Sequence, residues 1–468
     1  MGAMYPLDPA PEDMHAMGEA AVSYLIGFIQ GLDDAPAEAT EGALELAREM
    51  RAAPPEEGGG FAPLLAEIQQ AIARTYEYAG PGYLAYIPGG GLYTAAVADF
   101  IAQGVNRYVG LWQTSPAVVQ IEENVTRWLC DLFDYPPGSQ GLLLSGGSMA
   151  NLSAMVTARH DRLGEDFTDG VYYVSEQAHA SVTKAATIAG FSKRNVRIVA
   201  TDDRLRMDPE ALQEQVRVDR AAGLRPFLVG ASAGTTNTGA IDPIDAIADV
   251  AAAEELWLHV DGAYGGFFQL TDRGRGWFSG VERSDSVTLD PHKGLFLPYG
   301  TGGLVVRDGQ ALRDAHYEGA AYLQDLPPTG ELPNYSEYSP ELSRDWRGLR
   351  VWVPLKLHGV SAFREALDEK LDLTAYLYEA LSEDPLIDLP WGAPQLTVVP
   401  FRLAGAADDR QRAFLAKINA SKRVFLSSTL IHGAYTLRVC IVSHRTHKDR
   451  IDECVDIIRR AAAELGAG

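Results

Sequence analysis

The folds open to this chain are limited most by the stretch from about residue 140 to 310, where short β-rich runs alternate with helical ones. Candidate strands are Gly141–Leu144, Val171–Val174, Val196–Val199, Pro226–Gly230, Leu256–Val260, Ser286–Thr288 and Gly303–Val306. Helix patterns such as Ala180–Gly190, Asp208–Ala222 and Pro243–Glu255 lie between several of them. Parallel strands cannot be joined by tight turns and need a crossover, usually a helix. The alternation therefore predicts an α/β fold with a mainly parallel sheet covered by helices. Ligands of such sheets bind at the carboxyl ends of the strands.

The flanks differ from this middle. Residues 1–80 read as a helical N-terminal segment, with Met14, Met17, Ala21, Tyr24, Leu25 and Phe28 recurring at spacings of three and four. Further helix signals fall at Glu41–Met50 and Ala62–Tyr76. The apolar face of this segment must be buried, and a second subunit is the expected partner. Residues 81–358 form the expected large domain. Residues 359–468 form a small α+β domain: a helix at Ser361–Leu381, a strand at Leu396–Arg402, a helix at Asp408–Ala420, then Tyr435–Val442 and a final helix at Lys448–Ala463.

With 468 residues, two or three structural units are expected. The formal charge of −23 argues against a nucleic-acid partner, whose phosphates need a basic surface. Three widely spaced cysteines (Cys130, Cys440, Cys454) give neither a disulfide framework nor a zinc-ligand spacing, and fit a reducing cytoplasm. No apolar run reaches the 18 or so residues a bilayer span requires, and no basic region followed by an apolar stretch marks a signal peptide.

Five motifs sit where candidate strands end. In Ser286-Val287-Thr288-Leu289-Asp290-Pro291-His292-Lys293 a lysine follows a strand, where its amine can form an imine with an aldehyde cofactor. Alone it reads sooner as a solvated lysine in a surface turn. Trp257-Leu258-His259-Val260-Asp261-Gly262-Ala263-Tyr264 is a strand ending in a carboxylate. A pyridine ring is an electron sink only while its nitrogen is protonated, and a carboxylate at Asp261 would hold that proton. Ala263 and the neighbouring glycines leave room for a flat ring. Ser145-Gly146-Gly147-Ser148, leading into a helix, aims backbone N–H groups and a hydroxyl at an anion, with Gly147 and Ser148 best placed. His179, after the next strand, could stack on the ring, and Gly234-Thr235-Thr236 offers a hydroxyl best assigned to Thr236. For His179 the alternative is a satisfied core histidine; for Thr236, a plain polar turn.

In this order, the SGGS turn, the QAH, the GTT, the HVDGAYGG and the DPHK resemble the group II pyridoxal-phosphate-dependent amino-acid decarboxylases over nearly the whole chain. The resemblance implies a fold type I PLP-dependent transferase with pyridoxal 5′-phosphate bound covalently to Lys293. It places Asp261 at the ring nitrogen, His179 and Thr236 on the ring, and Gly147 and Ser148 on the phosphate. Asp290 and His292 would support the phosphate and cofactor. Many relatives carry Asn in place of Asp290, and a carboxylate would repel phosphate, so Asp290 is expected to orient a neighbouring donor. A loop tyrosine protonates the substrate's α-carbon in the family; counting back from Arg347, the match is Tyr335, with Tyr338 nearby. Relatives with Phe there tend to be oxidative aldehyde synthases.

The resemblance also marks Tyr86, Pro88, Tyr108 and Trp112 as substrate-lining, one of these stretches often coming from the partner of a homodimer whose active site lies at the interface. Gly110, where aromatic decarboxylases carry a bulky ring, would enlarge the pocket. Arg107 could meet an acidic side chain or sit in the dimer interface. The expected reaction is decarboxylation of an amino acid, an aromatic one favoured. The alternatives are an acidic substrate, an aldehyde synthase, an inactive cofactor-binding regulator, or an interaction protein using the acidic surface. No metal is expected.

Overall fold

The computed structural model describes residues 7–319 and 332–466. Seven strands build the central sheet: β1 (Gln140–Leu144), β2 (Gly170–Ser175), β3 (Val196–Val199), β4 (Arg225–Ser232), β5 (Trp257–Gly262), β6 (Ser286–Leu289) and β7 (Gly302–Val306). Their order across the sheet is β1-β7-β6-β5-β4-β2-β3. β7 runs antiparallel to both neighbours, and the other pairings are parallel. All seven expected strands are present, and the large sheet is mainly parallel.

Successive strand residues point to opposite faces, and the two faces feed separate cores. Leu143, Val229, Val260 and Val287 enter one, while Leu142, Leu144, Leu228 and Trp257 enter the other. Helices cover both sides, which is why β2 and most of β4 are buried throughout instead of alternating.

Downstream, the helix Gly348–Ser382 is broken at Gly359, whose φ of 76° and ψ of 155° no helix accommodates. The sequence placed a helix start near Ser361, just past this break. A second, antiparallel sheet follows in the order β10-β11-β9-β8, from β8 (Ile387–Asp388), β9 (Val398–Leu403), β10 (Ser427–Ile431) and β11 (Ala434–Cys440). The helices Asp408–Asn419 and Lys448–Gly466 pack with it. β8 and β10 were not anticipated. β10 and β11 meet in a two-residue hairpin at His432-Gly433, both with positive φ, as a type I′ turn needs.

The N-terminal helices Pro11–Gln30, Ala43–Glu49 and Phe61–Ile72 form as expected, and none buries a residue completely within the protomer. Met14, Val22, Leu25, Ile26, Leu64 and Ile68 stay exposed. Two further helices, Tyr93–Val105 and Pro116–Asp131, went unnoticed in the sequence. The first carries Phe100 at 75% exposure. No helix among the described residues is long and apolar enough to cross a membrane.

One ion pair ties Pro116–Asp131 to the sheet. Arg344 and Glu122 are both fully buried, with Nη2 of Arg344 2.9 Å from Oε1 of Glu122 and 2.7 Å from the Leu143 carbonyl. The second oxygen of Glu122 accepts from the Gly348 amide. Removing one partner strands a buried charge, so Glu122→Ala is expected to lower unfolding free energy by about 3–5 kcal/mol. Urea unfolding measures this.

Candidate active site

The carboxyl ends of five strands deliver the candidate residues to one place. β1 leads to Ser145–Ser148, β2 to His179, β4 to Gly234–Thr236, β5 carries Asp261, and β6 leads to Asp290–Lys293. The β1 turn must cross the start of β7 to reach the others. That crossing is possible because residue 302 is glycine: a Cβ there would lie 2.4 Å from the Gly146 backbone.

Lys293 joins two cavities. One, of 280 Å³, is lined by Ser145–Met149, His179, Ser181, Ala263, Asp290, His292 and Lys293. The other is small and lined by His179, Thr235, Thr236, Asp261, Ala263, Tyr264 and Lys293, among others. The helix Gly147–Leu163 opens onto the first with no side-chain cap, so first-turn N–H groups remain for an anion. A Cβ on Gly147 would approach both Ala263 and Asp290 to 3.0 Å, so glycine keeps this floor clear.

Nζ of Lys293 is 3.0 Å from Oδ2 of Asp290. Asp290 is buried and its other oxygen has no partner. The lysine amine thus has a carboxylate partner at the end of β6. His292 donates from Nδ1 to the Thr301 carbonyl at 2.6 Å. Burial pushes its pKa down, against the opposing pull of Asp290. Asp261 accepts from the Ala263 amide and from Nδ2 of Asn151, each at 3.1 Å.

Behind Asp261 stands a buried polar row that the sequence reading left unassigned. His259 and Asp261 lie two apart on β5, as Ser286 and Thr288 do on β6, in matching register. This alternation puts all four on one face. Asn151 contacts His259, Thr288, Asp261 and Ser181 together. Burial holds His259 down to about 4, outweighing the nearby Asp261, so it is neutral at physiological pH. Arg438 on β11 is also buried; its guanidinium donates to the carbonyls of Tyr86 and Thr236 at 2.8 and 2.6 Å. A lone arginine in the apolar Leu437–Ile441 run was the available signal.

The expected substrate residues are not brought to these cavities within one protomer. Tyr86 is exposed in a left-handed conformation, and Pro88 is buried. Tyr108 donates its hydroxyl to the Leu342 carbonyl at 2.7 Å, and the Trp112 amide donates to the Asn334 side chain. Arg107 is exposed. Gly110 does not enlarge a pocket: a Cβ there would lie 2.1 Å from the Tyr108 hydroxyl, because the Tyr108 ring fills that space.

Tyr335 is fully buried, donating to Glu123 at 2.9 Å and meeting the Thr126 hydroxyl at 2.9 Å, with the Arg344 guanidinium over its ring. Burial, then the charges of Glu123 and Glu122, push its pKa well above the ordinary value. It lines neither cavity around Lys293. Tyr338 is half-buried nearby. A row of rings that the sequence did not reveal continues from His292: Tyr299 at 5.5 Å between centroids, then Tyr78 at 6.4 Å, both exposed, and the buried Tyr83 at 4.8 Å from Tyr78. A larger cavity of 680 Å³ lies at the amino ends of β4 and β5, but its arginines 162, 220, 225 and 283 are all paired with carboxylates.

An uncapped helix N-terminus, a lysine amine lining the same cavity, and a carboxylate fixed by two donors suit a phosphorylated pyridine aldehyde. Comparison with known proteins agrees. The chain is 33% identical to the aromatic-L-amino-acid decarboxylase of Bacillus atrophaeus over 98% of its own length and 97% of that protein's. It is 26% identical to the phenylacetaldehyde synthase of Arabidopsis thaliana, covering 97% and 96%. The solved structure of Oryza sativa TDC with PLP and tryptamine superposes with a TM-score of 0.92 at 27% identity, covering 99% of this chain and all of that one. Residues 44–404 match the model of the pyridoxal-dependent decarboxylase conserved domain, and the chain belongs to this family of enzymes, with pyridoxal 5′-phosphate as its cofactor.

Proposed function

We propose that the protein decarboxylates an aromatic L-amino acid to its amine. The observation that carries this is the ring row Tyr299, Tyr78 and Tyr83 continuing from His292, which alone of the four lines a Lys293 cavity; rings packed beside that cavity suit a flat apolar side chain. The aromatic decarboxylase among the relatives supports it. When bound, the cofactor supplies an electron sink for the bond broken at the α-carbon. The chain's own residues supply the rest. Lys293 tethers the cofactor through Nζ and is aimed by Asp290. Gly147, Ser148 and the helix N-terminus hold the phosphate, with His292 beside them. Asp261 keeps a proton on the ring nitrogen. His179, Thr236 and Ala263 line the cavity that would hold the ring, and exclusion of water there would strengthen each of these charge contacts.

The test is a panel of L-tryptophan, L-tyrosine, L-DOPA and L-phenylalanine against L-glutamate, L-aspartate and L-cysteine sulfinate, with amines identified by mass. Turnover confined to the acidic substrates would overturn the aromatic reading.

The protein is proposed to work as a homodimer with its active site at the interface. Exposed apolar residues on Pro11–Gln30, Phe61–Ile72 and Tyr93–Val105 support this. So does the absence of Tyr86, Tyr108 and Trp112 from their own protomer's cavities, since a partner's stretch can complete the site. The three described cysteines, all free and buried, suit a cytoplasmic protein. Tyr335 is assigned the proton that replaces CO₂ on the strength of the family resemblance. Tyr335→Phe is expected to suppress amine and raise aldehyde in oxygen, about 10²-fold in product ratio, as mass analysis of both products would show. The same change from Tyr338→Phe would move the role to that residue. An oxidative aldehyde synthase is the second reading, favoured by Tyr335's distance from the Lys293 cavities in this protomer; parental enzyme yielding aldehyde and peroxide would establish it.

A further inference from the structure

We propose that Asn151 is a positioning residue which, through the orientation of one side-chain amide, sets where the ring protons of His259 and His179 reside while holding Asp261 toward the cofactor. Its position between four polar partners allows one arrangement. Nδ2 lies 3.1 Å from Oδ2 of Asp261 and 2.8 Å from the Ser181 hydroxyl. Oδ1 lies 3.0 Å from Nε2 of His259 and 2.7 Å from the Thr288 hydroxyl. A carboxylate accepts and does not donate, so the NH₂ group must face Asp261 and the oxygen must face His259.

Each neighbour then follows. Nε2 of His259 must carry a proton to meet Oδ1. Its Nδ1, 2.9 Å from the Ser286 hydroxyl, must accept. Ser286 is free to donate because it in turn accepts from the indole N–H of Trp257 at 2.8 Å. On the other side Ser181 accepts from Asn151 and gives its own proton to Nδ1 of His179, 2.7 Å away. The Ser181 amide also donates to that nitrogen. His179 therefore accepts at Nδ1 and carries its proton at Nε2. Thr288 completes the four bonds an asparagine amide can make, so no member of the row is left unpaired.

The consequence reaches the cofactor at two points. Asp261 is held by Asn151 and the Ala263 amide together, which fixes the carboxylate against rotation. His179, which borders both cavities, presents a donor instead of an acceptor at its second nitrogen. This inference rests on Asp261 being the partner of the ring nitrogen.

The experiment uses holoenzyme labelled with ¹⁵N-histidine, its ring signals assigned with His179→Gln and His259→Gln. At neutral pH both histidines are expected to show a protonated Nε2 and a bare Nδ1. A proton on Nδ1 of either one overturns the proposal, and this measurement stands whether or not any Asn151 variant folds. Asn151→Leu, close in size and unable to hydrogen-bond, is expected to shift the midpoint of the bound cofactor's absorbance–pH titration by about one unit. It should also speed cofactor loss on dialysis about tenfold. A folded Asn151→Leu with parental melting, titration and retention would reduce the residue to packing. Ser181→Ala isolates the His179 branch and is expected to alter that histidine's ring signals alone. If instead Asp261 is not the ring-nitrogen partner, Asp261→Asn will leave the absorbance titration unchanged while the histidine protons of the parent enzyme are still found as stated, so the two failures are separable.

Discussion

Lys293→Ala is expected to bring turnover to background, below about one part in 10⁴ of the parent rate. Lys293 is the lysine lining both cavities, and its Nζ is held 3.0 Å from Asp290 at the end of β6. Without it the cofactor loses its covalent tether and should leave on dialysis, whereas the fold should persist because the side chain is partly exposed. Assaying CO₂ and amine at saturating cofactor checks the rate, and mass spectrometry after borohydride reduction checks the site. Steady-state decarboxylation by the variant, or a reduced pyridoxyl group found on another residue, would contradict the assignment.

Asp261→Asn is expected to lower kcat by about 10²–10³-fold, the usual effect of removing one preorganised electrostatic partner from a developing charge. The replacement keeps size but only one oxygen, so it can accept from the Ala263 amide or from Nδ2 of Asn151, which meet different oxygens of the carboxylate, and not from both. What it removes is the negative charge that keeps the ring nitrogen protonated, so the loss should appear in kcat and in the absorbance of the bound cofactor. KM should change little, since the substrate's side chain meets other residues. An unchanged kcat would show that the pyridine nitrogen is served from elsewhere.

Both predictions concern residues that were legible in the sequence, for a local reason. Lys293 and Asp261 lie immediately after or within β-rich runs, in motifs whose neighbours (Pro291, His292, Gly262, Ala263) are contiguous with them. The role of Asn151 was not legible. It lies in the first turns of the helix that begins at Gly147, but its importance comes from contacts with Ser181, His259, Asp261 and Thr288, which are remote in sequence. Arg438 stood out only as a lone arginine in an apolar run, and its role was not legible because its partners Tyr86 and Thr236 belong to segments that meet only in the fold. Gly110 misled for a related reason: an absent side chain reads as space, but the Tyr108 ring two residues away folds back to fill it. The edge strand β8, two residues long, is too short to impose any period on the sequence.

The sequence by itself determined the sheet, its crossovers and the strand ends that bear the chemistry, because hydrophobic period and turn residues act over a few neighbours. Only the tertiary structure decided which side chains share a hydrogen-bond row, that Tyr335 rests against Glu123 and Thr126, and that Tyr299 extends a ring wall from His292. Those outcomes depend on strand order and helix packing, which bring distant segments within a few ångströms and leave no trace in local spacing.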